Sequence, residues 1–463
     1  MESLRDAAHT YRLIVTRRQA SEILLLADPS AWSLPRVEVH PRHRLAEQLT
    51  QECARVWGIE VYCLFVSRQG INDPEVKAKC AFMESVRRND EPPAGAHWMP
   101  PSVAMDRCHP EEASAIRDGL TELDSYTRDQ TTGRFARPGW LPELFRWAQE
   151  QVSSLGLRLT GTFRQLNASP TFSLIRLGTN RGALWFKATG EPNSHELPVT
   201  VALGRLFPSH VPQIYAVHDA WNGWLAAEVE GVSLDHITDL LKWERAAEEL
   251  AELQIASIGK TAELLAAHSK DLRVPKLMER IDPFLARMGE LMAAQAKPWP
   301  APLVRSELET LAQGLKESCA LLASRGLPDT IGNIDCNPGN ILESGDRFVF
   351  LDWAEGCVAN PLLTFEYLRE HAARSGIDEP AVAERLAAAY LRPWASCCPP
   401  NVVRQALTLS PLIAVLAHAV ANDAWHSADA ARNPALAGYF RSLTRRMYRE
   451  AISVAQRSEP CLS

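Results

Sequence analysis

No two cysteines in this 463-residue sequence are spaced as CxxC, and none of the ten combines with histidine in a zinc-type pattern. Cys108 beside His109 and the vicinal Cys397 and Cys398 are the only local clusters, too few for four tetrahedral ligands, so buried free thiols are expected instead of a metal centre. Basic runs are absent too: Lys plus Arg is 49 against 56 for Asp plus Glu, a net charge of -7, which argues against nucleic acid as a partner. The opening MESLRDAAHTYRLIV has no basic start followed by an apolar core, so no secretory signal is read there. The most apolar later stretch, 407–420, is interrupted by Ser410, Pro411 and His418 and is too short to span a bilayer. No internal repeat or low-complexity tract is present. These absences lead to an expectation of a cytoplasmic protein without a membrane partner. Its composition, 46% hydrophobic and 23% charged, is that of an ordinary globular chain, and its length suggests roughly three folding units.

Hydrophobic patterning divides the chain. From Tyr11 to Trp98, short apolar segments such as YRLIVTR, EILLLAD and VYCLFVS surround one helical stretch at 43–56, which predicts a small α/β domain over 1–124. The polar SYTRDQTTGRFARPG predicts a linker at 125–138. Over 139–230 a helix starting at Trp140 leads into LRLTGTFRQL, FSLIRLGT, ALWFKATG, QIYAVHDAW and GWLAAEVEG, with one helix near 196–206. That order predicts a five-stranded antiparallel sheet carrying a single helix. The remainder, 231–463, reads as amphipathic helix except for one island, IGNIDCNPGNILESGDRFVFLDWAEG. The fold class expected is α+β.

The island carries the chemistry. Asp335 precedes Asn340 by five residues, and a hairpin strand delivers Asp352 twelve residues later. A carboxylate able to accept a hydroxyl proton, followed by an amide and a second carboxylate able to hold a divalent cation, is a part list for phosphoryl transfer. Mg²⁺ prefers hard oxygen ligands and few protein contacts, so one Asn and one Asp suffice beside a nucleotide's phosphates. Taken without the hairpin, DxxxxN is also what a plain turn with two Asx residues would show.

With the hairpin, the island resembles the aminoglycoside phosphotransferase and choline kinase group of the protein-kinase-like fold, whose pattern is HGDxxxxN, a hydrophobic strand and DW. Asp335, Asn340, Asp352 and Trp353 match it. The resemblance implies a two-lobed fold, with the antiparallel sheet as N-lobe and the helices as C-lobe, and ATP-dependent transfer to a small-molecule hydroxyl. Asp335 would be the base, with Asn340 and Asp352 the Mg²⁺ ligands in a cleft between the lobes. It also implies Lys187 as a phosphate-binding lysine paired with Glu196, and a phosphate loop over 167–173. That loop has no glycine, so Ser169, Thr171 and Ser173 would serve with backbone N–H groups. Ala227, Glu228 and Val229 would form the segment that meets adenine, and EELAELQ the helix before the catalytic half. Two positions depart from the pattern: Asn333 replaces the histidine and Thr364 the later aspartate, both of which orient loops in the family. Catalytic impairment, leaving a nucleotide-binding or scaffolding protein, is therefore the alternative reading. For the acceptor, Glu355, Glu366 and Glu370 could face a cation such as an aminoglycoside or amino alcohol. The helices after 380 would form its outer wall, with His418, Asp423, Trp425 and His426 either lining it or packing in the core.

The stretch WSLPRVEVHPRHRLAEQLTQECARVWGIEV resembles a Nudix hydrolase core. Aligned on Gly58 and Ile59, its helix keeps Glu52 alone of three glutamates, and Arg55 and Val56 occupy the metal-binding pair. Pro35-Arg36 lacks the glycine that normally follows the proline. The resemblance implies a Nudix-like domain without hydrolase activity.

Overall fold

The computed structural model describes residues 8–27, 31–40, 43–67, 79–87, 91–129, 131–377, 381–421, 423–427 and 429–458. Two compact units result, one of residues 1–197 and 213–228, the other of 198–212 and 229–463.

In the first unit, β1 (His9–Arg17), β2 (Glu22–Ala27), β3 (Trp32–Ser33), β4 (Arg36–Val39), β5 (Val61–Val66), β6 (Lys79–Ser85) and β7 (Ala96–Met99) make a seven-stranded sheet, with α1 (Leu45–Trp57) between β4 and β5. β1 and β6 run parallel and the other pairs antiparallel. The strands are apolar on both faces because both are covered. Leu13, Val15, Leu24, Val61 and Cys63 pack with Leu49 and Cys53 of α1, whereas Ile14, Ile23, Leu25, Tyr62 and Leu64 turn the opposite way. Two-residue alternation within each strand produces this split.

After α2 (Pro101–Arg107), α3 (Pro110–Arg128) and α4 (Trp140–Val152), the antiparallel sheet runs in the order β11-β12-β10-β9-β8. Its strands are β8 (Leu159–Ala168), β9 (Ser173–Thr179), β10 (Gly182–Ala188), β11 (Ile214–His218) and β12 (Gly223–Ala227), and α5 (Glu196–Leu206) follows β10. Five antiparallel strands with one inserted helix match the expectation for this stretch.

The expected separation into two domains joined by a linker is corrected here. Ile116 and Leu123 of α3, Leu144 and Ala148 of α4, and Ile175, Leu177, Phe186 and Leu225 of the second sheet share one buried cluster with Ile14, Phe65 and Phe82. The 125–138 segment belongs to that core: α3 continues to Arg128, and Tyr126, Phe135 and Ala136 are buried. Gln165 of β8 completes the union, its side-chain amide accepting from Cys63 N (2.7 Å) and donating to Cys63 O (2.9 Å). Polar composition suggested a linker; three buried side chains outweigh it.

The division between units falls within α5, after Leu197. The second unit contains β13 (Val232–Ser233), α6 (Leu240–Ala256), α7 (Thr261–Ala266), β14 (Lys270–Leu272), α8 (Val274–Ala293), α9 (Arg305–Ser324), β15 (Thr330–Asn333), β16 (Ile341–Ser344), β17 (Arg347–Phe350) and β18 (Gly356–Ala359). It ends in α10 (Pro361–Ala372), α11 (Val382–Trp394), α12 (Pro400–Leu407), α13 (Ser410–Val420), α14 (Asp429–Arg432) and α15 (Pro434–Ser458). Helices enclose one large core, and two three-stranded sheets, β13-β16-β17 and β14-β18-β15, hold the island. Among the described residues no single helix is long and apolar enough to cross a membrane. The nine described cysteines are free thiols, and Cys461 lies outside the described residues.

Candidate active site

β15 carries the chain into the loop of Asp335, and β16 and β17 form the hairpin that returns it at Asp352. The loop is held by its own short-range bonds. Asn337 N donates to Asp335 O (2.7 Å), Asn340 N to Asn337 O (2.8 Å) and Gly339 N to the Asn337 side-chain oxygen (2.9 Å). Leu351 N donates to Asn340 O (2.8 Å), fastening the hairpin's return to the loop one residue before Asp352.

Asn333 ties the parts together. Its side-chain oxygen accepts from Asp335 N (3.0 Å) and its side-chain NH₂ donates to Asp352 O (2.8 Å). Its own N–H donates to the Thr364 hydroxyl (3.0 Å). The two departures from the family pattern are thus bonded to one another, and both residues are buried. Gly332 makes that approach possible, since a Cβ there would lie 2.5 Å from Thr364 Oγ1. Asp352 adopts φ of +57°, a left-handed conformation that an Asp tolerates at a cost of about 1–3 kcal/mol when its surroundings hold it.

Tyr367 is a site residue that the sequence reading missed. Its hydroxyl donates to Asp335 Oδ1 (2.7 Å). Burial, and then the bond to Asp335, pushes the phenol's pKa well up, so it remains a donor to the carboxylate. Its place one helix after the DW strand was the only available signal. The Asn340 side-chain amide has no protein partner among the described residues. No group of three His, Cys, Asp or Glu side chains suited to a metal occurs among the described residues. An amide oxygen from Asn340 and a carboxylate from Asp352 are a donor set that fits a Mg²⁺ keeping most of its ligands as water and phosphate.

In the first unit, Lys187 of β10 lies opposite Leu174 and Trp224 in the sheet register. Its Nζ meets Glu196 Oε1 at 2.5 Å and stands 5.9 Å from the Trp224 ring centre. Glu196 opens α5 and its side chain is 2% exposed, so the pair is largely desolvated. The β8–β9 turn sits beside them: a Cβ on Gly190, three residues after Lys187, would lie 2.5 Å from Thr171 Cβ. Within that turn the Ser169 hydroxyl accepts from Phe172 N (3.0 Å), and Pro170 O accepts from Phe135 N (3.0 Å). Ser173 is fully buried at the start of β9, with an unpartnered hydroxyl, and so is turned inward. Ala227 N donates to Gln213 O (2.8 Å), and Glu228 binds Arg176 through both oxygens (2.5 and 2.7 Å), which lowers the carboxyl's pKa.

The acidic residues proposed for a cationic acceptor are otherwise engaged. Glu355 pairs with Lys270. Glu366 is buried, pairs with Arg369 (2.7 Å) and accepts from the Ser410 hydroxyl (2.8 Å). Glu370 pairs with Arg374 (3.4 Å) and Arg446. His418 lines a cavity, Trp425 is a core residue against Phe284, and Asp423 and His426 are exposed. In α1, Arg55 grips Glu52 through Nε (3.0 and 3.2 Å), so that glutamate faces a cation.

Neither a protein-family model nor a curated protein sequence matches the chain. Solved structures resemble it at low identity. A Plasmodium vivax ethanolamine kinase shares 15% identity over 67% of this chain and 85% of that one, with a TM-score of 0.45. A choline/ethanolamine kinase family protein from Mesorhizobium loti shares 15% over 68% and 95%, with a TM-score of 0.44. A spectinomycin phosphotransferase in complex with ADP and spectinomycin shares 10% over 67% and 98%, with a TM-score of 0.41.

Proposed function

We propose that this protein is a phosphotransferase that moves the γ-phosphate of ATP to a hydroxyl of a small molecule. The observation that carries this reading is the Asn333 side chain, which joins the backbone of Asp335 to that of Asp352 and so makes one bonded unit of a base and a metal carboxylate. The acceptor oxygen attacks the γ-phosphorus, the bond to the ADP oxygen breaks, and the hydroxyl proton passes to Asp335. Tyr367 keeps the Asp335 carboxylate oriented by donating to its Oδ1. Asn340 and Asp352 would hold a Mg²⁺ with the bound nucleotide, and the ion would supply charge neutralisation at the phosphates. Lys187, fixed by Glu196, would bind phosphate oxygens, helped by the hydroxyl and backbone N–H of Thr171; the Ser169 and Phe172 N–H groups are bonded within the turn. Glu228 and Val229 would offer backbone groups to adenine. Ser173 and the Ala227 N–H drop out of these roles, being buried and already bonded respectively.

A second reading, nucleotide binding without turnover, draws on the glycine-free turn whose Ser169 hydroxyl is used internally. Both readings expect MgATP to raise the melting temperature, but only the first expects ADP release that depends on an acceptor. For the N-terminal portion we propose a non-hydrolytic role, supported by the Glu52–Arg55 pair.

A further inference from the structure

A cavity of about 250 Å³ in the second unit lies beside Ile334 and Tyr367, the residues that respectively precede Asp335 and bond to it. α10 supplies Tyr367, Glu370, His371 and Arg374 to its wall, α13 supplies His418, and α15 supplies Arg446. The rings of Tyr367 and His371 stand 4.8 Å apart and those of Tyr367 and His418 6.1 Å apart, giving one aromatic side.

The charges decide what such a cavity can hold. Among the described residues of the wall, Glu370 is the only carboxylate not neutralised from outside it, and it faces two guanidinium groups, Arg374 and Arg446. Glu366 is spent on Arg369 and Ser410. His371 is driven towards its neutral form by burial and by Arg374. Asp335, to which the reacting hydroxyl must come, is bonded to Tyr367 of this wall. Among the described residues a cationic ligand would find no uncommitted carboxylate along this wall and would meet a surplus guanidinium.

We propose that this cavity binds the acceptor, and that the acceptor is a small molecule bearing a carboxylate as well as its hydroxyl. The planar guanidinium of Arg446, with Arg374 at the mouth, takes the carboxylate through paired N–H donors. The hydroxyl end lies at Asp335 beside the Tyr367 hydroxyl. This assignment rests on the phosphotransferase reading and replaces the cationic acceptor expected from sequence.

The test uses the full chain and matched probes: glycerate with glycerol, gluconate with glucose, and serine with ethanolamine. Calorimetric binding and ADP release with MgATP are measured for each. The acid of at least one pair should bind at least tenfold more tightly than its counterpart. Arg446→Gln should weaken that binding at least tenfold, Arg446→Lys less so, and Glu370→Gln, which removes the competing carboxylate, should tighten it about threefold or more. Should Arg446→Gln not fold, Arg374→Gln and Glu370→Gln decide. Preference for the amine or neutral probes, no binding of any acid, or loss of binding in Glu370→Gln would overturn the proposal. Acid binding without ADP release would support the carboxylate site and overturn phosphoryl transfer; ADP release with amines or neutral alcohols but no acid would do the reverse.

Discussion

Asn333 offers the sharpest perturbation of the loop, because one side chain supplies both the acceptor for Asp335 N and the donor to Asp352 O. Asn333→Ala removes both bonds. Each is partly buried, so each is worth about 1 kcal/mol net, and the variant should lose about 2 kcal/mol of stability. A unit of this size shifts by roughly 2–4 °C per kcal/mol, so the transition involving the second unit should fall by about 4–8 °C. The freed loop should also lose the placement of its base and metal carboxylate, and errors near 1 Å in such positions cost about 10²-fold in rate. Asn333→Asp keeps the acceptor for Asp335 N but sets a carboxylate against Asp352 O, so it should be as damaging to turnover while folding slightly better. Differential scanning calorimetry and steady-state ADP release measure the two effects. An Asn333→Ala protein that melts within 1 °C of wild type and turns over at the wild-type rate would refute the reasoning.

Thr364→Val leaves the buried Asn333 N–H without its acceptor and should cost about 1–3 kcal/mol, read by urea denaturation. Gly332→Ala drives a Cβ into the Thr364 hydroxyl and should destabilise the same transition; a melt unchanged from wild type would show that the strand end gives way. Lys187→Met removes the charged hydrogen bond to Glu196, worth about 1.5–3 kcal/mol, and should shrink the thermal shift produced by MgATP. His371 gives a pH signature. Its pKa is lowered in the folded state by burial and by Arg374, so below the ordinary histidine value of 6.5 the unfolded chain binds more protons. Stability should therefore rise with pH through that window, and His371→Asn should reduce the slope, leaving the part due to His210 and His218, whose pKa values are lowered by burial too.

The island was legible because its chemistry is local: Asp335, Asn340 and Asp352 lie within eighteen positions of one another, and a hairpin is the shortest way to bring the last one back. The Lys187–Glu196 pair was legible for a similar reason, a strand end followed nine residues later by a helix start. What escaped were interactions whose partners are distant in sequence or change the meaning of a residue type. Asn333 and Thr364, read as departures from a pattern, are partners across thirty-one positions. Glu370 looked available to a cation until Arg446, on the last helix, was placed against it. Ser173 carried a hydroxyl suited to phosphate, but the strand register turned it inward. The polar run at 125–138 hid Phe135, which a shared core had already claimed.

The most direct measurement of the central claim is ADP release in the presence of MgATP and an acceptor, compared among wild type, Asp335→Asn and Asp352→Ala. With the base removed, the rate should fall roughly 10²- to 10⁴-fold while MgATP still stabilises the protein, and with Asp352 removed both the rate and the Mg²⁺-dependent part of that stabilisation should be lost. Wild-type turnover in Asp335→Asn, or undiminished Mg²⁺ dependence in Asp352→Ala, would contradict the account.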